Sequence, residues 1–300
     1  MQKTVIVLAG PTASGKTALA IRMAQLFDTA IISADSRQCY RELSIGTAKP
    51  SPEELQTVPH YFIDSHSIKE EVNAGLFERL ALQYTQDIFA QREVAVMCGG
   101  TGLYIKAFTE GIDDMPLIPP GIREAISKQY EKEGLPWLQQ MLQQQDPDFY
   151  AIAETQNPQR LMRALEVLEA TGRSITAFRS ANRTPRDFRI IKIAITLPKE
   201  LLHQQIHTRV DRMMEAGLVA EVKSVLPYRS HNALQTVGYQ EVFDYLDEKN
   251  SLDQAQDLIK THTRQYAKRQ LTWFRKDKDF QWFDARDQEA ILQYLQKEMC

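Results

Sequence analysis

Apolar and polar positions fall into two regimes along the chain. In the first, short continuous apolar runs alternate with segments of helical period. Thr4–Ala9 (TVIVLA) is β-branched and apolar throughout, the pattern of a parallel strand buried on both faces. Residues 10–16 break that run, and 17–27 then place Leu19, Ala20, Met23, Ala24 and Phe27 on one helical face. Residues 30–33 and 93–98 read as two more buried strands, the second running into Gly99-Gly100-Thr101-Gly102 and a helical stretch at 103–108. Later strands are predicted at 189–197 and 280–283, and a closing helix at 289–299. Strands alternating with helices predict a parallel α/β sheet flanked by helices. Ligands of such sheets lie beyond the carboxyl ends of the strands.

The second regime begins after Pro116, Pro119 and Pro120. Residues 121–180 are rich in Gln, Glu, Arg and Leu and carry no strand pattern. Trp137, Leu138, Met141 and Leu142 repeat at helical spacing, as do Leu161, Ala164, Leu165 and Leu168. This predicts an all-helical insertion domain, 117–184, within an α/β core made of 1–116 and 185–300.

Composition narrows the class. With 43% hydrophobic and 25% charged residues in 300, the chain is globular rather than disordered or fibrous. No apolar run is long enough to cross a bilayer, and the short apolar start lacks the features of a secretory signal. Cys39, Cys98 and Cys300 are far apart and have no metal-ligand spacing, which points to a reducing compartment, the cytoplasm. The net charge of −3 hides an uneven distribution: 157–192 hold eight Lys/Arg against three Asp/Glu, and 260–278 hold seven against one. Two basic segments in an acidic background form the footprint of a polyanion partner, although solvated helix faces give the same pattern.

Gly10-Pro11-Thr12-Ala13-Ser14-Gly15-Lys16-Thr17 fits GxxxxGK[ST], directly after a strand and opening a helix. In such a loop the backbone N–H groups and the helix amino end point at phosphate oxygens. Lys16 adds a point charge, and the Thr17 hydroxyl can ligate Mg²⁺. The fold class predicted is therefore a P-loop NTPase-like parallel sheet core with the helical insertion. A hydrolase of this type has a second strand ending in Asp. Here that strand ends in glycines, which favours a polyphosphate serving as donor or leaving group. The Gly99–Gly102 turn itself reads either as a close approach to ligand or as a tight strand-to-helix turn.

Asp35-Ser36-Arg37-Gln38 follows the second strand and opens on the same edge. Positive charge from Lys16 and a metal would hold Asp35 ionised, able to accept a proton from an acceptor nucleophile. A carboxylate there serves equally well to cap the next segment. The stretch 46–50 ends a loop expected near the site.

Seven segments together resemble one family: GPTASGKT (10–17), ISADSRQCYRELSIGTAKP (32–50), GGTGLY (99–104), NPQRLMRALEV (157–167), RVDRMMEAGLVAEV (209–222), VGYQE (237–241) and KRQLTWFR (268–275). They look like the bacterial tRNA dimethylallyltransferases, or tRNA isopentenylpyrophosphate transferases. The resemblance implies transfer of a dimethylallyl group from dimethylallyl diphosphate to N6 of adenosine 37, beside the anticodon of tRNAs reading codons that begin with U. Mg²⁺ is the implied cofactor, and no membrane is involved; a monomer is expected. It makes Asp35 the base, Gly10–Thr17 with Lys16 the diphosphate site, Thr17 the metal ligand and Arg209 a further diphosphate contact. It implies tRNA contacts from Asp35, Ser36, Arg37, Gln38, Thr101, Arg123, Gln159, Arg160, Leu161, Met162 and Arg163.

Further phosphate contacts are expected from Arg264, Lys268, Arg269, Arg275 and Lys276, interleaved with Tyr266. Trp273 and Phe274 are read as core. Nothing has the spacing of the zinc finger found in eukaryotic members. VGYQE lacks the basic residue often found after Tyr, so no tRNA contact is carried to it. Three other readings remain: a small-molecule or nucleoside kinase, an adenylate isopentenyltransferase making free cytokinin, and a non-catalytic RNA-binding module. The first lacks an arginine-rich lid motif, the second needs no extended basic surface, and the third leaves Lys16, Thr17 and Asp35 without a role.

Overall fold

The structure is a computed structural model that describes residues 2–179 and 184–299; Cys300 and the end of the expected insertion, 180–183, lie outside them. β1 (Thr4–Ala9) passes through the loop 10–15 into α1 (Lys16–Leu26), and β2 (Ile31–Ala34) follows. A long connection then holds α2 (Pro52–Thr57), the two-residue β3 (His60–Tyr61) and α3 (Ala74–Phe89). β4 (Val94–Gly99) turns into α4 (Gly102–Glu110). Next come α5 (Pro120–Gln145), α6 (Pro147–Ile152) and α7 (Pro158–Thr171). The chain returns in β5 (Arg189–Thr196), α8 (Lys199–Glu215) and α9 (Leu218–Ser224), then α10 (Tyr239–Leu246) and α11 (Leu252–Phe274). β6 (Gln281–Asp284) and α12 (Gln288–Met299) close it.

The strands form one parallel sheet in the order β3-β2-β4-β1-β5-β6. β1 is central and buried along its whole length, which is why its residues are apolar without alternation. Val5, Val7 and Ala9 pack into one apolar layer, with Phe77, Tyr104 and Phe108; Ile6 and Leu8 pack into the other, with Leu19 and Met23. The register levels the strand ends, since Ala9 pairs with Gly99 and Ala194, and Ala34 with Gly99. The segments starting at Gly10, Asp35 and Gly100 therefore emerge side by side.

The P-loop-type sheet and its flanking helices match the sequence reading, with three differences. β3 is too short to leave a period in the sequence. β2, β4 and β6 each begin and end one residue later than expected. The helical unit spans Ile112–Thr184, and the α/β unit Met1–Gly111 with Pro185–Cys300, so the first boundary precedes the expected 116/117. Met115 packs into the helical unit's own core, which draws the preceding segment with it. On the α/β side, Arg186 donates to the carbonyls of Ala107 (2.9 Å) and Phe108 (2.7 Å) and pairs with Glu78. The residues flanking the insertion are thus fastened to each other.

The helical unit is built around Ile126, Leu138, Leu142, Phe149, Leu161 and Leu165. α5 is interrupted at Gly134, whose φ of 73° is open to glycine, two residues before Pro136. Leu138 and Leu142 are fully buried, with Trp137 and Met141 packed beside them, as the helical spacing anticipates.

Candidate functional site

The cradle between β1 and α1 is held by its own side chains. Ser14 Oγ donates to the Pro11 carbonyl at 2.8 Å, and Lys16 Nζ donates to the same oxygen at 2.5 Å. Gly10 must lack a side chain, since a Cβ would stand 2.6 Å from the Ile195 carbonyl oxygen. Gly15, at φ 85°, turns the chain so that the first N–H groups of α1 face outward with no helical partner. Burial lowers the Lys16 pKa to about 8; Cys98 works against that fall, Arg209 adds to it, and Asp35 opposes it. A desolvated ammonium in the same loop as unpartnered helix-start amides is an arrangement that favours a negative charge.

Asp35 stands at the end of β2. Its Oδ1 accepts the N–H groups of Arg37 (2.9 Å) and Gln38 (3.3 Å), whereas Oδ2 takes no hydrogen bond among the described residues. Oδ1 thus caps the following segment and leaves Oδ2 open. Ser36 N–H donates to Thr101 Oγ1 at 3.0 Å, which ties the Asp35 segment to the β4–α4 turn. Gln38 Nε2 donates to the carbonyls of Thr47 (3.3 Å) and Ala48 (3.1 Å), bringing the 46–50 loop to the site as expected.

That loop has an anchor the sequence reading missed. Glu221, on α9, accepts the successive N–H groups of Ser44 (2.9 Å), Ile45 (2.7 Å) and Gly46 (2.9 Å), and the Tyr239 hydroxyl at 2.6 Å. Burial, and then the Glu221 charge, push the pKa of that hydroxyl up, so it stays a donor. Within the VGYQE segment Tyr239 and Glu241 are therefore framework, whereas Val237 and the exposed Gln240 line the adjoining cavity. Tyr239 and Glu241 are buried, and Glu241 receives Gly238 N–H (2.7 Å) and His262 Nδ1 (2.5 Å).

A cavity of about 610 Å³ is lined by Thr12 of the cradle, Asp35, Arg37, Arg209, Tyr266 and Arg269 among others. Met213, Val237, Leu258 and Ile259 contribute apolar surface to the lining. Arg209, on α8, donates to Thr12 Oγ1 at 3.2 Å, so the helical arginine does reach the cradle. Gln270, on α11, accepts Thr12 N–H at 2.8 Å and donates to the Gly100 carbonyl at 2.9 Å.

The β4–α4 glycines are explained by protein packing rather than by ligand approach. A Cβ on Gly100 would lie 2.2 Å from Gln270 Nε2, and one on Gly102 would lie 2.1 Å from the Trp273 ring. Trp273 is 37% exposed and covers Gly102, which corrects its assignment to the core; Phe274 is buried as expected. Lys268, Arg269, Arg275 and Lys276 are exposed. Arg269 lies over Tyr266 and Arg275 over Trp282. A cationic surface interleaved with aromatic faces thus adjoins the cavity.

In the helical unit, Gln159 and Arg160 are exposed, and Arg160 pairs with Glu154 at 2.8 Å. Arg123 Nε and Arg163 Nη1 share the buried Glu166, at 3.1 Å and 3.2 Å, which fixes both guanidinium groups on one patch. Leu161 is a correction: it is fully buried in this unit's core and cannot touch a nucleic acid, while Met162 is half-buried against that core. Among the described residues no cluster of three or more acidic, His or Cys side chains could cage a metal, and no helix is long and apolar enough to cross a membrane.

The family model for IPP transferase matches residues 38–277. The tRNA dimethylallyltransferase of Cytophaga hutchinsonii is 45% identical over 299 residues, covering 100% of this chain and 98% of its own. That of Christiangramia forsetii is 43% identical over 300 residues, covering 100% and 99%. Among solved structures, the tRNA isopentenylpyrophosphate transferase of Bacillus halodurans superposes with a TM-score of 0.72 at 32% identity, over 99% of this chain and 96% of that one. A eukaryotic dimethylallyltransferase acting on tRNA gives a TM-score of 0.75 at 27% identity, over 95% of this chain and 74% of that one. With a match across most of its length and full-length relatives above two-fifths identity, the chain belongs to the IPP transferase family.

Proposed function

We propose that this protein transfers the dimethylallyl group of dimethylallyl diphosphate to N6 of adenosine 37 in tRNAs that read codons beginning with U. The observation that carries the reading is one cavity lined together by Thr12 of the phosphate cradle, by Arg209 and by Asp35, one of whose oxygens is unpartnered among the described residues. In the reaction the allylic C–O bond breaks and an N6–C bond forms. The bonding electrons leave with the diphosphate, and the amine proton passes to Asp35.

The outward amides of the cradle, Lys16 and Arg209 stabilise charge that grows on the departing diphosphate, and they do so without rearranging. The apolar side chains of the lining, Met213, Val237, Leu258 and Ile259, would shelter a cation-like allylic carbon from water. Mg²⁺ fits this donor set, because it favours phosphate oxygens and water with few protein ligands, and the Thr17 hydroxyl has no protein partner among the described residues. When bound through Thr17, it would neutralise part of the diphosphate charge.

Ser36, Arg37, Gln38 and Thr101 flank the place of the acceptor base. Lys268, Arg269 and Arg275 on the α/β unit, and Arg123, Gln159, Arg160 and Arg163 on the helical unit, supply the phosphate and base contacts of a folded RNA. The target base must leave its stack to reach the cavity. The protein is taken to act as a monomer in the cytoplasm.

The test is to incubate the protein with Mg²⁺, dimethylallyl diphosphate and either unmodified tRNA or AMP, then weigh the nucleosides by mass spectrometry. Product on tRNA alone is the expected result. Prenylated AMP would make it a cytokinin synthase, and phosphate transfer from ATP would make it a kinase. Asp35→Ala is expected to lower turnover on tRNA by about 10²–10⁴, the range of a lost general base, with tRNA binding retained. A variant that loses binding yet reacts normally once bound would refute the role given to Asp35.

A further inference from the structure

We infer that Gln270 is a positioning residue of the diphosphate cradle, fixing its first half against the β4–α4 turn. The inference rests on the reading above, that the cradle holds a diphosphate.

Gln270 is 6% exposed, and both ends of its carboxamide are engaged by loops remote in sequence: Oε1 by Thr12 N–H at 2.8 Å, Nε2 by the Gly100 carbonyl at 2.9 Å. Arg209 reaches the Thr12 hydroxyl from α8 at 3.2 Å, so one cradle residue is held by two helices. The Thr12 N–H, taken by Gln270, is not available to phosphate. It serves as an anchor, leaving the amides nearer α1 to face the anion. A carboxamide on a two-carbon arm is required: glutamate lacks the donor for Gly100, and asparagine is one carbon too short to span both loops.

Gly100 belongs to the same fixture. A Cβ there would stand 2.2 Å from Nε2 but only in ordinary contact, 3.5 Å, with the Gly10 carbonyl oxygen, so Gly100→Ala pushes the carboxamide out and frees Thr12 without a clash against the cradle. Two residues far apart in sequence are thereby predicted to give one phenotype, for a reason specific to this contact.

The experiment titrates Mg²⁺-pyrophosphate into the full-length protein by calorimetry and measures KM for dimethylallyl diphosphate with unmodified tRNA. The proteins compared are wild type, Gln270→Ala, Gln270→Met, Gly100→Ala, the Gly100→Ala/Gln270→Ala double variant, and Lys16→Ala. Gln270→Met keeps the side-chain volume, so its readout survives if Gln270→Ala does not fold. Each Gln270 or Gly100 single variant is expected to raise the pyrophosphate Kd and the donor KM by about tenfold, the scale of one net hydrogen bond lost. tRNA Kd without donor stays at its wild-type value. The double variant is expected to be no worse than the worse single one.

Unchanged pyrophosphate affinity in Gln270→Met, or a double variant whose losses multiply, would overturn the inference. Pyrophosphate binding that survives Lys16→Ala undiminished would instead overturn the diphosphate reading and the inference with it, and the two failures are separate measurements.

Discussion

The lowered pKa of Lys16 makes donor affinity depend on pH in a calculable way. In the free protein the amine titrates at about 8, because burial and Arg209 disfavour its charge. A bound diphosphate supplies the missing counter-charge and restores the pKa toward the ordinary lysine value near 10.4. Below pH 8 the cation is already present and affinity is flat. Above it, binding must first take up a proton, so each pH unit weakens affinity about tenfold until the bound-state pKa is reached. From about pH 7 to 9.5 the loss comes to about thirtyfold.

The terminal phosphate of the donor loses its last proton near pH 6, so the ligand does not change charge across most of this window. Calorimetric titration of dimethylallyl diphosphate with Mg²⁺, in buffers of different ionisation enthalpy, reads the affinity and the proton uptake together. Lys16→Arg provides the control, since a guanidinium keeps its charge throughout and its affinity has no slope. A flat wild-type profile, or an equally steep one for Lys16→Arg, would show that Lys16 is not the group responsible.

The remaining expectations concern the framework and the RNA surface. Replacing Glu221 by Gln puts a donor amide against three backbone donors and the Tyr239 hydroxyl. It is expected to cost about 2–3 kcal/mol in urea unfolding at unchanged slope, and a loss under about 0.5 kcal/mol would contradict the anchoring role. Leu161→Ala opens a void in the helical unit and is expected to cost about 2–5 kcal/mol there, read as faster hydrogen exchange in α5 and α7. Wild-type exchange in both helices would return Leu161 to the surface. Charge reversal of Lys268 and Arg269 together is expected to lower the slope of log affinity for tRNA against log salt by about 1.4, roughly 0.7 per phosphate contact removed. An unchanged slope would take α11 out of the RNA interface.

Legibility in the sequence tracked locality. β1 and the cradle are contiguous, and one apolar run with its glycine break is enough to show both. Asp35 could be placed because it ends a recognisable strand, and strand ends of a parallel sheet share an edge. Gln270 and Glu221 left no such mark: a glutamine in a basic helix and a glutamate on a short one look like solvent-facing residues until folding brings Thr12, Gly100 and the 44–46 amides to them.

Leu161 went astray for a different reason. The resemblance implies contacts from five consecutive residues, 159–163, yet a helix turns about 100° per residue, so such a block cannot face one partner. The spacing of Leu161 with Ala164, Leu165 and Leu168 had already put it on the apolar face. Trp273 was misjudged because its exposed ring covers a glycine on another element, a pairing that helical period does not encode.

The fastening of Arg186 to the last turn of α4 has an evolutionary corollary. Because the host sheet holds the exit and re-entry of the chain together by its own contacts, what lies between them can be lengthened, shortened or exchanged at small cost, about 0.6 kcal/mol for each doubling of an unstructured loop. The segment between Gly111 and Pro185 is thus free to vary in length or content while the α/β unit keeps its shape.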